Sequence, residues 1–86
     1  MPILVLLADD HQMTRDGLGA FLVQQGFKVN ANASNGQEAV RLAAELQPDV
    51  AVLDLAMPIV NGLEAAREIQ KISPKTKRTS SASFAP

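Results

Sequence analysis

The chain contains no cysteine, tryptophan or tyrosine, and only three phenylalanines among its 86 residues. Lack of cysteine excludes disulfides, thiolate metal sites and a thiol nucleophile. Scarce aromatics leave little for base stacking on nucleic acid. Charge of one sign is missing too: eight lysines and arginines against nine acids give a formal net charge of -1. That balance provides no electrostatic footprint for DNA, RNA or an anionic membrane surface. The apolar start, Met1-Pro2-Ile3-Leu4-Val5-Leu6-Leu7-Ala8, has no positive flank and is halted by Asp9-Asp10 well short of a membrane span, so it reads as a strand and not as a signal peptide. These absences predict a cytoplasmic protein that binds neither nucleic acid nor membrane directly. At this length one domain is the ceiling, with a modest core.

Two unbroken apolar runs are present, and they organise the rest. Val50-Ala51-Val52-Leu53 leads into Asp54 and is followed by Leu55-Ala56-Met57-Pro58; residues 3–8 lead into Asp9-Asp10-His11. Uninterrupted aliphatic residues suit strands covered on both faces, as in a parallel sheet with helices above and below. In such sheets ligands gather outside the carboxyl ends of the strands, where Asp9, Asp10 and Asp54 would sit.

Between these runs, Met13, Leu18, Phe21 and Leu22 recur at helical spacing, with Gly17 and Gly19 allowing approach to the sheet and Gly26 as the stop. Phe27, Val29, Ala31 and Ala33 alternate with polar residues, predicting an edge strand exposed on one face. Ser34 and Gln37 have capping-box spacing before a helix carrying Ala39, Val40, Ala43 and Leu46, which Pro48 ends. Asn61-Gly62, with Glu64 beyond, starts a third helix lined by Leu63, Ala66, Ile69 and Ile72 and closed by Pro74. Met13 and Met57 are expected in core or rim packing. From Lys75 onward the residues are small, polar and basic without apolar period, so 75–86 is predicted to be a flexible tail.

Three carboxylates at one rim repel one another, and a hard divalent cation held by oxygens and water, Mg2+ above all, would relieve that repulsion. One carboxylate could then attack a phosphoryl group. The alternative is that Asp9 and Asp10 merely cap the first helix. His11 is within reach of the site, but a local role at the helix start is the simpler expectation.

The motifs Leu6-Leu7-Ala8-Asp9-Asp10-His11, Val52-Leu53-Asp54-Leu55-Ala56-Met57-Pro58 and Asn61-Gly62-Leu63-Glu64-Ala65 resemble the receiver domain of two-component response regulators, particularly the NarL/FixJ-like group. The resemblance implies a flavodoxin-like α/β fold, in which Asp54 matches the phosphoacceptor. It also implies that Asp9, Asp10, Asp54 and the Ala56 backbone carbonyl hold Mg2+, and that a histidine kinase donates the phosphoryl group. Family members are phosphoacceptors, so the chain is not expected to be an enzyme. A phosphatase-like reading is weaker, because Ala56 stands where a second acid would be wanted.

The family continues with an apolar fourth strand ending in Ser or Thr and a fifth ending in Lys. Counting from Asp54 puts the hydroxyl near Ala82, between Ser81 and Ser83, and none of Lys28, Lys71, Lys75 and Lys77 matches the missing lysine. The expectation is therefore a partial receiver domain over 1–74, truncated after the third βα unit, with three parallel strands in order 2-1-3, three helices, and 75–86 replacing the fourth strand. Two functions remain open: a phosphoacceptor module impaired by the truncation, or a catalytically silent module that binds a kinase or partner. With no fourth strand, Val50 to Asp54 becomes a bare apolar edge, which predicts a homodimer or a domain-swapped oligomer.

Overall fold

The structure is a computed structural model, and residues 2–81 are described. Seven elements alternate: β1 (Leu4–Ala8), α1 (Gln12–Gln24), β2 (Lys28–Ala33), α2 (Gly36–Leu46), β3 (Val50–Leu53), α3 (Gly62–Ile72) and β4 (Lys77–Ser80). The strands form one parallel sheet in the order β2-β1-β3-β4. This is the flavodoxin-like receiver arrangement, with four strands where three were expected.

The apolar runs do what their composition requires. Along β1, Val5 and Leu7 point to one face and Leu6 and Ala8 to the other, and all four are almost completely buried. One face meets α1 through Leu22 and Leu18, together with Val52 from β3. The opposite face meets α2 and α3 through Ala39, Ala43, Ala65 and Ile69, with Ala51 and Leu53 from β3. Small side chains on α2 and α3 let both helices sit close over the sheet. A strand buried on both sides has no polar position to alternate with, hence its unbroken hydrophobicity.

Among the described residues helix α1 is the one helix on its face, and its buried stripe is narrower than the sequence suggests. Leu22 is buried, whereas Phe21 is half exposed and Met13 is 88% exposed, so the core or rim position expected of Met13 is not observed. Gly19 lies over Leu7, but Gly17 faces open space. The helix ends in a Schellman turn: the Phe27 N–H donates to Leu22 O, the Gly26 N–H to Val23 O, and Gly26 takes φ 97, which favours glycine. Phe27 then packs in the same cluster as Leu22.

Strand β2 departs from the one-faced pattern. Val5 pairs with Val29 but Leu6 pairs with Ala31, so Asn30 is an extra residue in a bulge. The bulge turns the strand over: Phe27 and Val29 join the α1 side, Ala31 and Ala33 the α2/α3 side. The period of two in the sequence spans two faces.

The N-cap of α2 is Asn35 and not Ser34. Asn35 Oδ1 accepts from the Glu38 N–H at 2.8 Å, and the Glu38 carboxylate accepts from the Ser34 N–H at 2.9 Å. The motif is shifted by one residue because Glu38 brings a negative charge to the positive end of the helix dipole, which Gln37 cannot. Asn35→Ala is expected to destabilise the fold by about 1 kcal/mol, read as a lowered urea midpoint at unchanged slope.

Over residues 77–80 the fourth strand corrects the expectation of a flexible polar tail, whose residues 82–86 lie outside the described residues. Two turns meet at the amino end of the sheet, where Ser73 and Thr76 are both buried. Thr76 Oγ1 donates to Pro48 O at 2.6 Å, Ser73 Oγ is 2.5 Å from Thr76 Oγ1 and bonds Gln47 Oε1 at 3.1 Å, and Gln47 Nε2 reaches Ile72 O at 3.1 Å. From this polar knot the Lys77 N–H donates to Asp49 O at 2.9 Å, the first rung of the β3–β4 ladder. Backbone bonds recruit β4 without any need for an apolar pattern. Consequently β3 is not a bare edge, and the basis for pairing two copies through it is gone. Among the described residues β4 is the sheet edge on this side, as β2 is on the other, and it presents exposed Lys77 and Arg78, the kind of charge that discourages edge-to-edge association.

Candidate functional site

Asp9 follows the last residue of β1, and Asp54 the last of β3. Ladder bonds continue past both strands: the Asp9 N–H donates to Ala33 O at 3.0 Å and the Asp54 N–H to Ala8 O at 2.9 Å. The two carboxylates are thus set by the bonded ends of the two inner strands of the sheet. Asp9 is 3% exposed, and its Oδ1 accepts from the His11 N–H at 2.8 Å. Its carbonyl accepts from the Arg15 guanidinium at 2.6 Å. Asp54 Oδ1 accepts from the Ala56 N–H at 3.2 Å, so the carboxylate is oriented by the loop that follows it.

That loop is folded tightly. The Val60 N–H donates to Pro58 O, and Ile59 between them holds φ 69, a strained left-handed conformation for a β-branched residue. Asn61 caps α3 by accepting from the Glu64 N–H at 2.9 Å. Gly62 lies directly against the Asp54 backbone, where a Cβ would stand 2.4 Å from Asp54 O.

Asp9, Asp10, His11 and Asp54 each offer a ligand atom, and these atoms all lie within 4.8 Å of one another. Asp9, His11 and Asp54 border an open cavity of about 650 Å³, which Thr14, Leu18, Phe21, Leu55, Ala56, Ser80 and Ser81 also line. Buried Asp9, partly exposed Asp10 and half-buried Asp54 supply hard oxygen donors beside a space wide enough for water. Mg2+, which keeps several waters and takes one or two carboxylates, fits this donor set.

The structure brings together every site residue read from the sequence: the three aspartates converge and Ala56 lines the same cavity. Asp9 and Asp10 do not cap α1, since its N-cap is His11 and its first turn holds no acid. Among the described residues, Ser80 and Ser81 are the hydroxyl groups that β4 brings to the cavity, whereas Ala82 and Ser83 lie outside the described residues. No lysine among the described residues lines it. Sequence reasoning missed Arg15 and Thr14, whose only signal is their place in the first turn of a helix that begins at the carboxylates.

The family model for the response regulator receiver domain matches residues 5–82. The transcriptional regulatory protein LiaR of Bacillus subtilis (strain 168) is 53% identical over 68 residues, covering 78% of this chain and 32% of LiaR. A LuxR-family two-component response regulator from Aurantimonas sp. SI85-9A1 superposes with a TM-score of 0.87 at 32% identity, over 93% of this chain and 58% of that one. The CheX-CheY-BeF3-Mg+2 complex from Borrelia burgdorferi gives a TM-score of 0.88 at 26% identity, over 93% and 61%. The chain therefore spans about a third of LiaR and roughly three-fifths of each of these solved chains. With the sheet order, the strand-end aspartates and these likenesses in agreement, the chain belongs to the response regulator receiver domain family, on the NarL/FixJ-like side of it.

Proposed function

We propose that this chain is a phosphoacceptor module of a two-component response regulator, and that Asp54 receives a phosphoryl group from a histidine kinase. The convergence of the Asp9, Asp10 and Asp54 carboxylates at the rim of one open cavity, which Asp9 and Asp54 line, carries the reading. Asp9, Asp10, Asp54 and the Ala56 carbonyl would hold Mg2+, which when bound neutralises the phosphoryl oxygens during transfer. The Borrelia CheY complex, which contains Mg2+ and BeF3, supports that assignment. An Asp54 carboxylate oxygen attacks phosphorus, the bond from phosphorus to the kinase histidine breaks, and the electron pair leaves with the imidazole, which takes up a proton. The Ala56 N–H fixes the carboxylate for the attack, and Ser80 and Ser81 offer hydroxyl groups to the incoming oxygens. The chain is the acceptor in this transfer and turns over no separate substrate.

No described lysine is positioned to pair with the phosphate, so the phosphorylated form is weakly held. A charge-assisted hydrogen bond of that kind contributes roughly 1.5–3 kcal/mol. The same observation favours a second reading, a silent module that binds its kinase without accepting phosphate. The likeness to LiaR, a transcriptional regulatory protein, supports an output in transcription, and a cytoplasmic setting is part of the same proposal. No described helix is long and apolar enough to cross a membrane, and the net charge of -1 argues against direct nucleic-acid contact.

Intact-mass measurement after incubation with a small phosphodonor and Mg2+ separates the readings. The wild-type chain is expected to gain one phosphoryl group at partial occupancy and lose it quickly, and Asp54→Asn to gain none. Failure of the wild type to gain mass would establish the silent module, and equal gain by Asp54→Asn would remove Asp54 from its role.

A further inference from the structure

The molecule's one histidine stands at the candidate site without an assigned task. His11 occupies the N-cap of α1, yet its side chain makes no capping hydrogen bond. Its ring turns to the carboxylates: Nδ1 is 3.0 Å from Asp10 Oδ1 and 3.3 Å from Asp9 Oδ1. The backbone on which the ring is mounted is pinned by the bond from the His11 N–H to Asp9 Oδ1. The side chain is 73% exposed, so the ring can pivot without disturbing the core. Facing it are Asp9, Asp10 and Asp54; the nearby Arg15 guanidinium is engaged by the Asp9 carbonyl.

We propose that His11 Nδ1 is an additional metal ligand, which raises the preference of this site for late first-row divalent ions over Mg2+. The inference rests on the reading of the three aspartates as a divalent-cation site. Mg2+ prefers oxygen and gains little from an imidazole. Mn2+, Co2+, Ni2+ and Zn2+ accept nitrogen readily, and affinity for a mixed nitrogen and oxygen site rises along that series to nickel and copper. Nδ1 stands at hydrogen-bond distance from both carboxylates; an ion held among them would take the place of that hydrogen bond, with the ring proton on Nε2 and the Nδ1 lone pair on the ion.

The test compares Mg2+ and Ni2+ affinities by calorimetry for the wild-type chain, His11→Ala and Asp54→Asn, with the histidine ring 15N shifts followed on adding diamagnetic Zn2+. Carboxylates alone already favour Ni2+, so the decisive quantity is the ratio of the two affinities. Removing the imidazole is expected to lower that ratio about tenfold or more, with Mg2+ affinity much less affected. Nδ1, and not Nε2, should show the coordination shift. Asp54→Asn should weaken both ions. An unchanged ratio in His11→Ala, or a Zn2+ shift at Nε2 alone, overturns the inference and leaves the Mg2+ site standing. Ni2+ binding that needs His11 but is indifferent to Asp54 is adventitious binding to a lone imidazole and overturns it as well. Binding of Ni2+ through His11 and the aspartates without any Mg2+ binding would uphold the inference and refute the Mg2+ assignment above. If neither ion binds, both fall.

Discussion

Gly62→Ala is expected to destabilise the fold by about 1–3 kcal/mol and to displace the backbone that presents Asp54. An added Cβ would lie 2.4 Å from Asp54 O, 2.8 Å from Asp54 C and 2.8 Å from Leu55 Cα. All three atoms belong to the main chain, so no side chain can swing aside. The Gly62 N–H also donates to Leu55 O at 3.3 Å, and a retreat of α3 would stretch that bond. The stretch that must move includes the Ala56 N–H, which orients the Asp54 carboxylate. Urea denaturation gives the stability change, and the amide shifts of Asp54 and Ala56 report the displacement. Gly17→Ala is the control: nothing lies within 4 Å of its added Cβ, and a helix gains up to about 1 kcal/mol from that exchange. Native amide shifts at Asp54 in Gly62→Ala would show that the close approach does not position the acceptor.

A second large effect is expected at the centre of the sheet, where Leu6→Ala should cost about 2–5 kcal/mol. Leu6 is fully buried on the middle strand, between Ala31 of β2 and Ala51 of β3 and beneath α2 and α3. Its neighbours in that layer are mostly alanines, which have no long side chains to swing into the vacated space. A domain has only ~5–15 kcal/mol of stability in total, and small ones lie near the lower end. Thermal melting followed by circular dichroism should show a sharply lowered midpoint or no cooperative transition. Met13→Ala, at a residue 88% exposed, should stay within about 0.5 kcal/mol of wild type. A cost below about 1 kcal/mol at Leu6 would mean that the sheet can collapse onto the cavity.

The contrast between Leu6 and Met13 shows where the sequence speaks plainly. Central strands buried on both faces write their position as unbroken apolar runs, so β1, β3 and the aspartates beyond them were legible. Helical spacing places Met13 and Phe21 on the apolar stripe of α1, but not how much sheet lies beneath them. The alternation of β2 concealed a bulge, because an inserted Asn30 looks like any outward polar residue. Strand β4 was invisible for another reason: Lys77 and Arg78 carry no apolar signal, and what recruits them is bonding across 28 positions between Thr76 and Pro48. The site followed the same division. Asp9, Asp10 and Asp54 could be placed from strand ends alone, whereas the approach of His11 and Arg15 depends on how the first turn of α1 departs from β1.

The polar knot at the amino end of the sheet also shapes how such a chain can drift over generations. Ser73 and Thr76 are buried and joined through their hydroxyl groups, so changes at those two positions break contacts in both turns. Lys77 and Arg78, by contrast, are exposed, and apart from a bond from the Arg78 guanidinium to Thr76 O at 2.9 Å they hold their place chiefly through the main chain. A lineage could rewrite those two side chains many times while the topology stayed the same. The heritable record of the fourth strand is thus kept in the turn before it and not in the strand itself.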